Sequence, residues 1–101
     1  MVKKKLKVEW HPEAKVHFIE ILKYLQQESE MSVSIVGNAI LDTIERLVIH
    51  PYANPLDRFK KHNDGNYRAY MVYRYRISYY VDGETIYILR IRHTSREPLE
   101  Y

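Results

Sequence analysis

A run rich in arginine and tyrosine, from Asn66 to His93, contains the residue types best suited to chemistry. The run holds seven of the ten tyrosines and five of the eight arginines of the chain. Arginine stabilises negative charge that develops on a phosphate, and tyrosine stacks on exposed bases. His93 adds a group that can act as a general acid or base near neutral pH. Together these residues permit metal-free cleavage of RNA, in which a 2′-hydroxyl attacks the adjacent phosphate.

Two sets of candidate residues follow from that chemistry. The candidate catalytic residues, which would stabilise charge or transfer a proton, are Arg68, Arg76, His93 and Arg96. The candidate residues for binding a nucleic acid or another target are Lys60, Lys61, Tyr70, Tyr80 and Tyr101. Each also has an ordinary structural use, since arginines pair with acidic groups across strands, a histidine can cap a strand end and a terminal tyrosine can be disordered.

Other kinds of site have no support in the sequence. There is no Gly-rich phosphate loop, nucleophile elbow or helical HExxH motif, so we expect no cofactor. The five histidines lack the spacing of metal ligands and cysteine is absent, so we expect neither a metal site nor a disulfide. The carboxylates are scattered, which leaves a paired acid and base without support.

Length and charge fit a single small domain with a basic C-terminal half. The 101 residues suit one domain that spans residues 1–101. Residues 1–57 contain 7 Lys+Arg and 8 Asp+Glu, whereas residues 58–101 contain 9 and 5. The basic half would attract a nucleic acid or an acidic protein, although many soluble domains carry a mildly basic face. The sequence shows no signal-peptide-like or membrane-spanning apolar run, so we expect a cytoplasmic protein that does not enter a membrane.

Apolar periodicity predicts one strand, then two helices. Leu6 to Trp10 alternates apolar and charged residues and predicts the first strand. A proline at the first position and an acidic residue in the first turn favour a helix over residues 12–28. We expect Ser32 to cap a second helix that ends before Pro51, and Gly37 to mark a close contact between the two helices.

Three further strands fit between Asn66 and His93, with turns near Tyr73-Arg74 and at Asp82-Gly83. Side chains alternate along a strand, which predicts two faces. We expect an apolar face with Tyr67, Ala69, Met71, Tyr75, Ile77, Tyr79 and Val81, and an arginine-tyrosine face with Arg68, Tyr70, Val72, Arg76, Ser78 and Tyr80. The predicted fold class is α+β, with an antiparallel two-helix hairpin packed on a four-stranded, mainly antiparallel sheet.

Several short motifs follow one another along nearly the whole chain. They are Val8-Glu9-Trp10-His11-Pro12-Glu13-Ala14, Leu47 with Pro51, Tyr67-Arg68, Tyr75-Arg76-Ile77-Ser78-Tyr79, Asp82-Gly83 and Ile88-Leu89-Arg90-Ile91-Arg92-His93. As an ordered set they resemble the RelE/ParE superfamily of toxins from bacterial type II toxin–antitoxin modules. The resemblance implies a growth-arresting toxin of a plasmid-stabilisation-like module, neutralised by a cognate antitoxin that lays an acidic segment across it. A homodimer and a toxin–antitoxin hetero-oligomer are both compatible with this.

The resemblance to the RelE-like branch implies an endonuclease that cuts messenger RNA on the ribosome. Carried over, Arg76 matches the arginine on the third strand, and Arg68 and Tyr70 stand where this branch has lysines. Arg96 with Tyr101 approximates the tail of that branch. Without the lysines the general base is missing, and His93 is the residue left to act as one.

The resemblance to the ParE-like branch implies an inhibitor of DNA gyrase. The long helical hairpin, the short connection between Arg68 and Arg76, and Ile91-Arg92-His93 followed by Arg96-Glu97-Pro98 are closer to this branch. Tyr73 departs from it, since the turn usually contains glycine. We therefore favour a gyrase inhibitor, with the ribosome-dependent mRNA endonuclease as the alternative and a non-toxic binding module that retains the fold as a third hypothesis.

Overall fold

The chain folds as one strand, two helices and three further strands. The structure, a computed structural model, describes residues 6–96 and 100–101. The elements are β1 (Lys7–Trp10), α1 (Pro12–Glu28), α2 (Glu30–Leu47), β2 (Tyr67–Val72), β3 (Tyr75–Asp82), β4 (Thr85–His93) and a short 3-10 helix, Thr94–Arg96. The four strands form one sheet in the order β1-β4-β3-β2, with β1 parallel to β4 and the other neighbours antiparallel. The predicted α+β architecture is confirmed.

A single residue, Ser29, separates the two helices. At the start of α1, the His11 imidazole accepts a hydrogen bond from the backbone N–H of Glu13 at 3.2 Å. Ser29 ends α1, since its N–H bonds to the carbonyl of Leu25 at 3.0 Å. It also caps α2, because its hydroxyl accepts from the N–H of Ser32 at 3.0 Å. The prediction that Ser32 is the cap is wrong: Ser29 has the extended backbone of a cap, and Ser32 lies inside the first turn of α2.

The hydrophobic core lies between the two helices and one face of the sheet. Its buried members are Ala14, Ile21, Leu25, Ile40, Ile44 and Leu47 from the helices and Val72, Tyr75, Ile77, Tyr79, Val81, Ile86, Ile88 and Ile91 from the strands. Complete burial of a side chain such as Ile40 contributes roughly 1.5–3 kcal/mol. At Gly37 a Cβ atom would lie 3.1 Å from Cδ2 of Leu22, which confirms the predicted close contact between the helices.

The register of β2 and β3 contradicts the predicted division of their side chains between two faces. The turn at Tyr73-Arg74 places Val72 directly opposite Tyr75. Cross-strand partners share a face, so alternation does not continue through the turn. The reason is local: the first turn residue has φ 53°, a left-handed conformation outside the β region. Arg68 therefore lies on the face that the helices cover, whereas Arg76 lies on the opposite face.

We call the side of the sheet away from the helices the outer face. By register it carries Tyr67, Ala69, Met71, Arg76, Ser78, Tyr80, Tyr87, Arg90 and Arg92. Ala69, Ser78 and Arg90 are buried there although no helix lies over them. The cover comes from the long connection between α2 and β2, residues 48–66, and from Tyr101, whose ring centre lies 4.0 Å from Cζ of Arg90. The centre of the outer face is therefore a packed surface, and only its edges meet solvent.

Candidate functional site

The candidate residues from the sequence lie at three separate places in the fold. Arg68 and Tyr70 are on the helix-covered face, Arg76, Tyr80, Tyr101, Lys60 and Lys61 are on or beside the outer face, and His93 and Arg96 lie at the end of β4. They do not form a single site. The three places differ in how far the polar groups are already hydrogen-bonded within the chain.

Arg68 and Tyr70 hold parts of the fold together. The Arg68 guanidinium donates to the carbonyl oxygens of Asn54 at 2.9 Å and Gly65 at 3.2 Å, and so ties the long connection to β2. The Tyr70 hydroxyl lies 3.0 Å from Oγ1 of Thr43 on α2. Burial raises the pKa of Tyr70 to about 12, so the phenol stays protonated at neutral pH. Both side chains have internal partners and are poorly placed to contact a target.

A buried carboxylate, Asp57, organises the outer face. Its Oδ1 accepts hydrogen bonds from Nη2 of Arg76 at 2.9 Å and from the backbone N–H of Phe59 at 3.0 Å. Its Oδ2 accepts from the hydroxyl of Tyr101 at 2.6 Å. Burial alone would raise the pKa of Asp57, but these hydrogen bonds together lower it below the ordinary value. We call Asp57, Phe59, Arg76 and Tyr101 the Asp57 cluster; in it an ionised carboxylate neutralises Arg76.

Aromatic rings and cations alternate beside the Asp57 cluster. Nζ of Lys60 lies 4.7 Å from the ring centre of Tyr67 and 5.3 Å from that of Tyr101. The rings of Tyr67 and Tyr80 have centres 4.4 Å apart. Lys60, a candidate for binding a target, is only partly exposed, since its ammonium lies against two rings and donates to the carbonyl of Tyr101 at 3.3 Å.

The main chain of Tyr101 pairs with the long connection. Its N–H donates to the carbonyl of Phe59 at 2.9 Å, and its carbonyl accepts from the N–H of Lys61 at 2.7 Å. The Lys61 side chain stays exposed, 3.7 Å from the carboxylate of Glu100. Burial and the hydrogen bond to Asp57 raise the pKa of Tyr101. Tyr101 is therefore held in place by its backbone, its ring and its hydroxyl.

A cleft lies between α1 and the end of β4, and we call it the α1–β4 cleft. β1 ends at Trp10, opposite Ile88, while β4 continues to His93 with α1 alongside it. The cleft has a volume of about 450 Å³ and is lined by Val16, His17, Glu20, Ile21, Tyr24, Tyr75, Ile91, Arg92, His93, Ser95 and Arg96. Two of the candidate residues, His93 and Arg96, thus belong to it, together with His17, which carries no recognisable motif in the sequence.

The two imidazoles of the cleft are held in the same tautomer. Nδ1 of His17 accepts the backbone N–H of Ile91 at 3.2 Å, and Nδ1 of His93 accepts that of Ser95 at 3.0 Å. A backbone N–H can only donate, so the proton of each neutral ring is on Nε2. Each ring is a hydrogen-bond donor at Nε2 and has no free lone pair. This geometry does not suit His93 to the role of general base.

The described residues contain neither a metal site nor a membrane-spanning helix. Within residues 6–96 and 100–101, no group of histidine, aspartate and glutamate side chains has the arrangement of a metal site. No helix in the same ranges is long and apolar enough to cross a membrane. Of the motif Arg96-Glu97-Pro98, Arg96 ends the short 3-10 helix, and the other two residues lie outside the described ranges.

Comparison with known proteins gives a family match and a number of similar solved structures, two of which follow. The family described as "ParE toxin of type II toxin-antitoxin system, parDE" matches residues 8–98. A chain of the chromosomal ParDE system from P. aeruginosa has a TM-score of 0.69 and 15% identity, over 88% of this chain and 96% of that one. YoeB from Staphylococcus aureus, solved as a dimer, has a TM-score of 0.55 and 20% identity, over 89% of this chain and 98% of that one. No curated protein matches the sequence. The two structures share the fold, and by the family match the chain belongs to the ParE toxin family of type II toxin–antitoxin systems.

Proposed function

We propose that this toxin arrests growth by binding DNA gyrase and that it does not cut RNA. A cognate antitoxin neutralises it by laying an acidic segment over the basic half of the chain, in which residues 58–101 carry 9 Lys+Arg against 5 Asp+Glu. Toxin, antitoxin and target meet in the cytoplasm. YoeB from Staphylococcus aureus was solved as a dimer, and we expect a homodimer or a toxin–antitoxin hetero-oligomer here.

The observation that carries the proposal is the pairing of Arg76 with Asp57 at 2.9 Å. A ribonuclease needs this cation to stabilise charge on the scissile phosphate. Here the guanidinium is already neutralised, its side chain is 12% exposed, and the buried carboxylate beside it would repel a phosphate. The hydroxyl of Tyr101 donates a hydrogen bond to the same carboxylate. The groups that the RelE-like alternative requires at the outer face are thus occupied with one another.

The alternative, a ribosome-dependent mRNA endonuclease, rests on the alternation of rings and cations at the outer face. Lys60 lies against Tyr67 and Tyr101, an arrangement that can hold stacked bases and phosphates. For this activity Arg76 would have to separate from Asp57 on the ribosome. The third hypothesis, a non-toxic binding module, requires no chemistry at either surface.

Induced expression in a sensitive bacterium, with and without the neighbouring antitoxin gene, tests the proposal. We expect growth arrest without the antitoxin, inhibited supercoiling by purified gyrase, and intact messenger RNA. Ribosome-dependent cleavage of a reporter messenger would establish the endonuclease instead. Normal growth in a sensitive host would favour the non-toxic module.

A double variant, Asp57→Asn with Arg76→Met, separates the two toxic mechanisms. Removing both charges of a buried pair costs much less stability than removing one, so the fold should persist. If the toxin binds gyrase, the double variant should still arrest growth. If Arg76 stabilises a transition state on RNA, the double variant should lose toxicity by several orders of magnitude while its melting temperature stays close to that of the wild type. Arg76→Ala alone cannot distinguish these cases, because it leaves Asp57 buried without its cation.

A further inference from the structure

The α1–β4 cleft brings together hydrogen-bond donors and positive charge. His17 and His93 each present Nε2–H as the donor, because Nδ1 is held by a backbone N–H. Arg96 adds an exposed guanidinium at the mouth, and Glu20 is the one carboxylate among the described residues that line the cleft. Imidazole and guanidinium donors in one place suit an anion with several acceptor oxygens. Phosphate is such an anion.

The shape of the cleft favours a compact ligand over an extended peptide. Its volume of about 450 Å³ lies in the range of small-molecule sites. A peptide added as a strand along β4 would need the backbone N–H of Ile91, but His17 already accepts it at 3.2 Å. The floor contains Ile21 and Ile91, both buried and apolar. The cleft therefore suits a small anion that carries an apolar group.

Tyr24 indicates the nature of the apolar group that the ligand carries. It lines the cleft and the residue is 58% exposed, although a tyrosine gains stability by packing. A partly exposed aromatic ring beside phosphate-binding groups is the usual platform on which a nucleobase stacks. An aromatic ring together with imidazole and guanidinium donors matches the two halves of a nucleotide.

We propose that the α1–β4 cleft binds a nucleoside monophosphate, with the phosphate at His17, His93 and Arg96 and the base against Tyr24. Two sources offer this chemistry, a free nucleotide and the phosphorylated end of an oligonucleotide. The site is distinct from the Asp57 cluster and does not depend on whether the toxin acts on gyrase.

Titration of the full chain with adenosine 5′-monophosphate, followed by calorimetry and by NMR of the histidine side chains, tests the proposal. We expect saturable binding that shifts the ring signals of His17 and His93. Adenosine, which lacks the phosphate, should bind at least about tenfold more weakly, as expected for loss of a charge-assisted hydrogen bond. A 5′-phosphorylated oligoribonucleotide compared with its 5′-hydroxyl form then distinguishes the end of a strand from the free nucleotide.

Two variants separate the halves of the ligand. Arg96→Ala should weaken binding of both the nucleotide and inorganic phosphate about tenfold. Tyr24→Ala should weaken binding of the nucleotide and leave that of inorganic phosphate unchanged. Arg58→Ala, the same change in the exposed loop beside the outer face, is the matched control and should alter neither. His93→Phe keeps a flat ring against Tyr75 and should lose the phosphate contact.

Several outcomes would overturn the proposal. Failure of both the nucleotide and inorganic phosphate to bind at millimolar concentration would exclude a phosphate site. An equal effect of Arg58→Ala and Arg96→Ala would indicate general attraction by the basic half of the chain. Saturable binding of an acidic peptide at this cleft, without binding of phosphate, would make it a protein contact instead.

Discussion

The Asp57 cluster and the α1–β4 cleft contain the same kinds of side chain but differ in how those side chains are satisfied. In the cluster, the donors of Arg76, Tyr101 and the Phe59 backbone converge on one carboxylate. In the cleft, two imidazole donors and the guanidinium of Arg96 share a space with a single exposed carboxylate among the described residues. The charge of Arg76 is neutralised within the cluster, although its buried Nε has no hydrogen-bond partner in the described part of the chain. The cleft has two imidazole donors and a guanidinium left for a ligand.

This difference shows why residue type alone is a poor guide to a site. Arginine and tyrosine are abundant on the outer face, yet hydrogen bonding within the chain commits them to holding Tyr101 and the long connection on the sheet. Buried polar groups of this kind cost stability unless every partner is present. A binding site is better indicated by donors whose partners within the chain are too few.

Asp57→Ala should cause the largest loss of stability. It leaves the mostly buried guanidinium of Arg76 without its counter-ion, and breaking a buried pair in this way costs about 3–5 kcal/mol. Urea denaturation at pH 7 measures the change in free energy of unfolding. Glu100→Ala, which removes an exposed carboxylate next to Lys61, should have little effect.

Acid provides an independent control for Asp57→Ala. The pKa of Asp57 is lowered in the folded chain, so the stability that its charge contributes is complete above the ordinary value of 3.8. That contribution is lost as the pH falls from there through the folded pKa. The difference in free energy of unfolding between the wild type and Asp57→Ala should therefore become smaller in this acidic range. If this difference stays constant as the pH falls, the charge of Asp57 is not what stabilises the cluster.

Tyr101→Phe should have the next largest effect. It removes a 2.6 Å hydrogen bond to an ionised carboxylate but keeps the ring against Arg90. Hydrogen bonds to charged groups contribute about 1.5–3 kcal/mol, so the free energy of unfolding should fall by that amount. Tyr73→Phe, in the exposed turn between β2 and β3, is the matched control. If the free energy of unfolding falls equally little in both variants, the hydroxyl does not hold Tyr101 on the outer face.

Much of the fold could be predicted from local patterns. Apolar periodicity, Pro12 and the turn at Asp82-Gly83 are local signals, and the helices and strands that they predict are present. The division between faces could not be predicted by counting along the chain. It depended on the conformation of Tyr73, whose positive φ lets Val72 and Tyr75 share a face.

The sites were harder to predict because long-range contacts build them. Asp57 is a lone carboxylate in a connection without periodicity, and only the folded chain brings it to Arg76. His17 sits on a helix like many solvated residues, and its partner Ile91 is 74 positions away. His93 and Arg96, two of the candidate catalytic residues, both line the α1–β4 cleft, but the backbone N–H of Ser95 decides which nitrogen of His93 carries the proton.

His17 should titrate below the ordinary value of 6.5 if the cleft is built as described. Burial lowers its pKa and Arg92 and Arg90 on β4 add to this, while Glu13 and Glu20 on α1 oppose it. The neutral form is favoured in the folded chain, so stability should decline as the pH falls from about 6.5 through the folded pKa. NMR titration of the ring measures the pKa. His17→Gln should make stability depend less on pH between about 6.5 and the folded pKa of His17. If the slope is unchanged, another group causes the pH dependence.

Arg96→Ala should have the smallest effect on stability and thereby separates the cleft most clearly from the Asp57 cluster. Arg96 is exposed at the end of the short 3-10 helix, and surface substitutions of this kind usually change the free energy of unfolding by less than about 0.5 kcal/mol. Urea denaturation of Arg96→Ala and Asp57→Ala under the same conditions compares their free energies of unfolding directly. A loss above about 1 kcal/mol would mean that Arg96 is tied into the fold as Arg76 is, since removal of an unused surface donor has no such cost. Two arginines with the same chemistry would then differ only in position, and Arg96 would not be a spare donor that the cleft can offer a ligand.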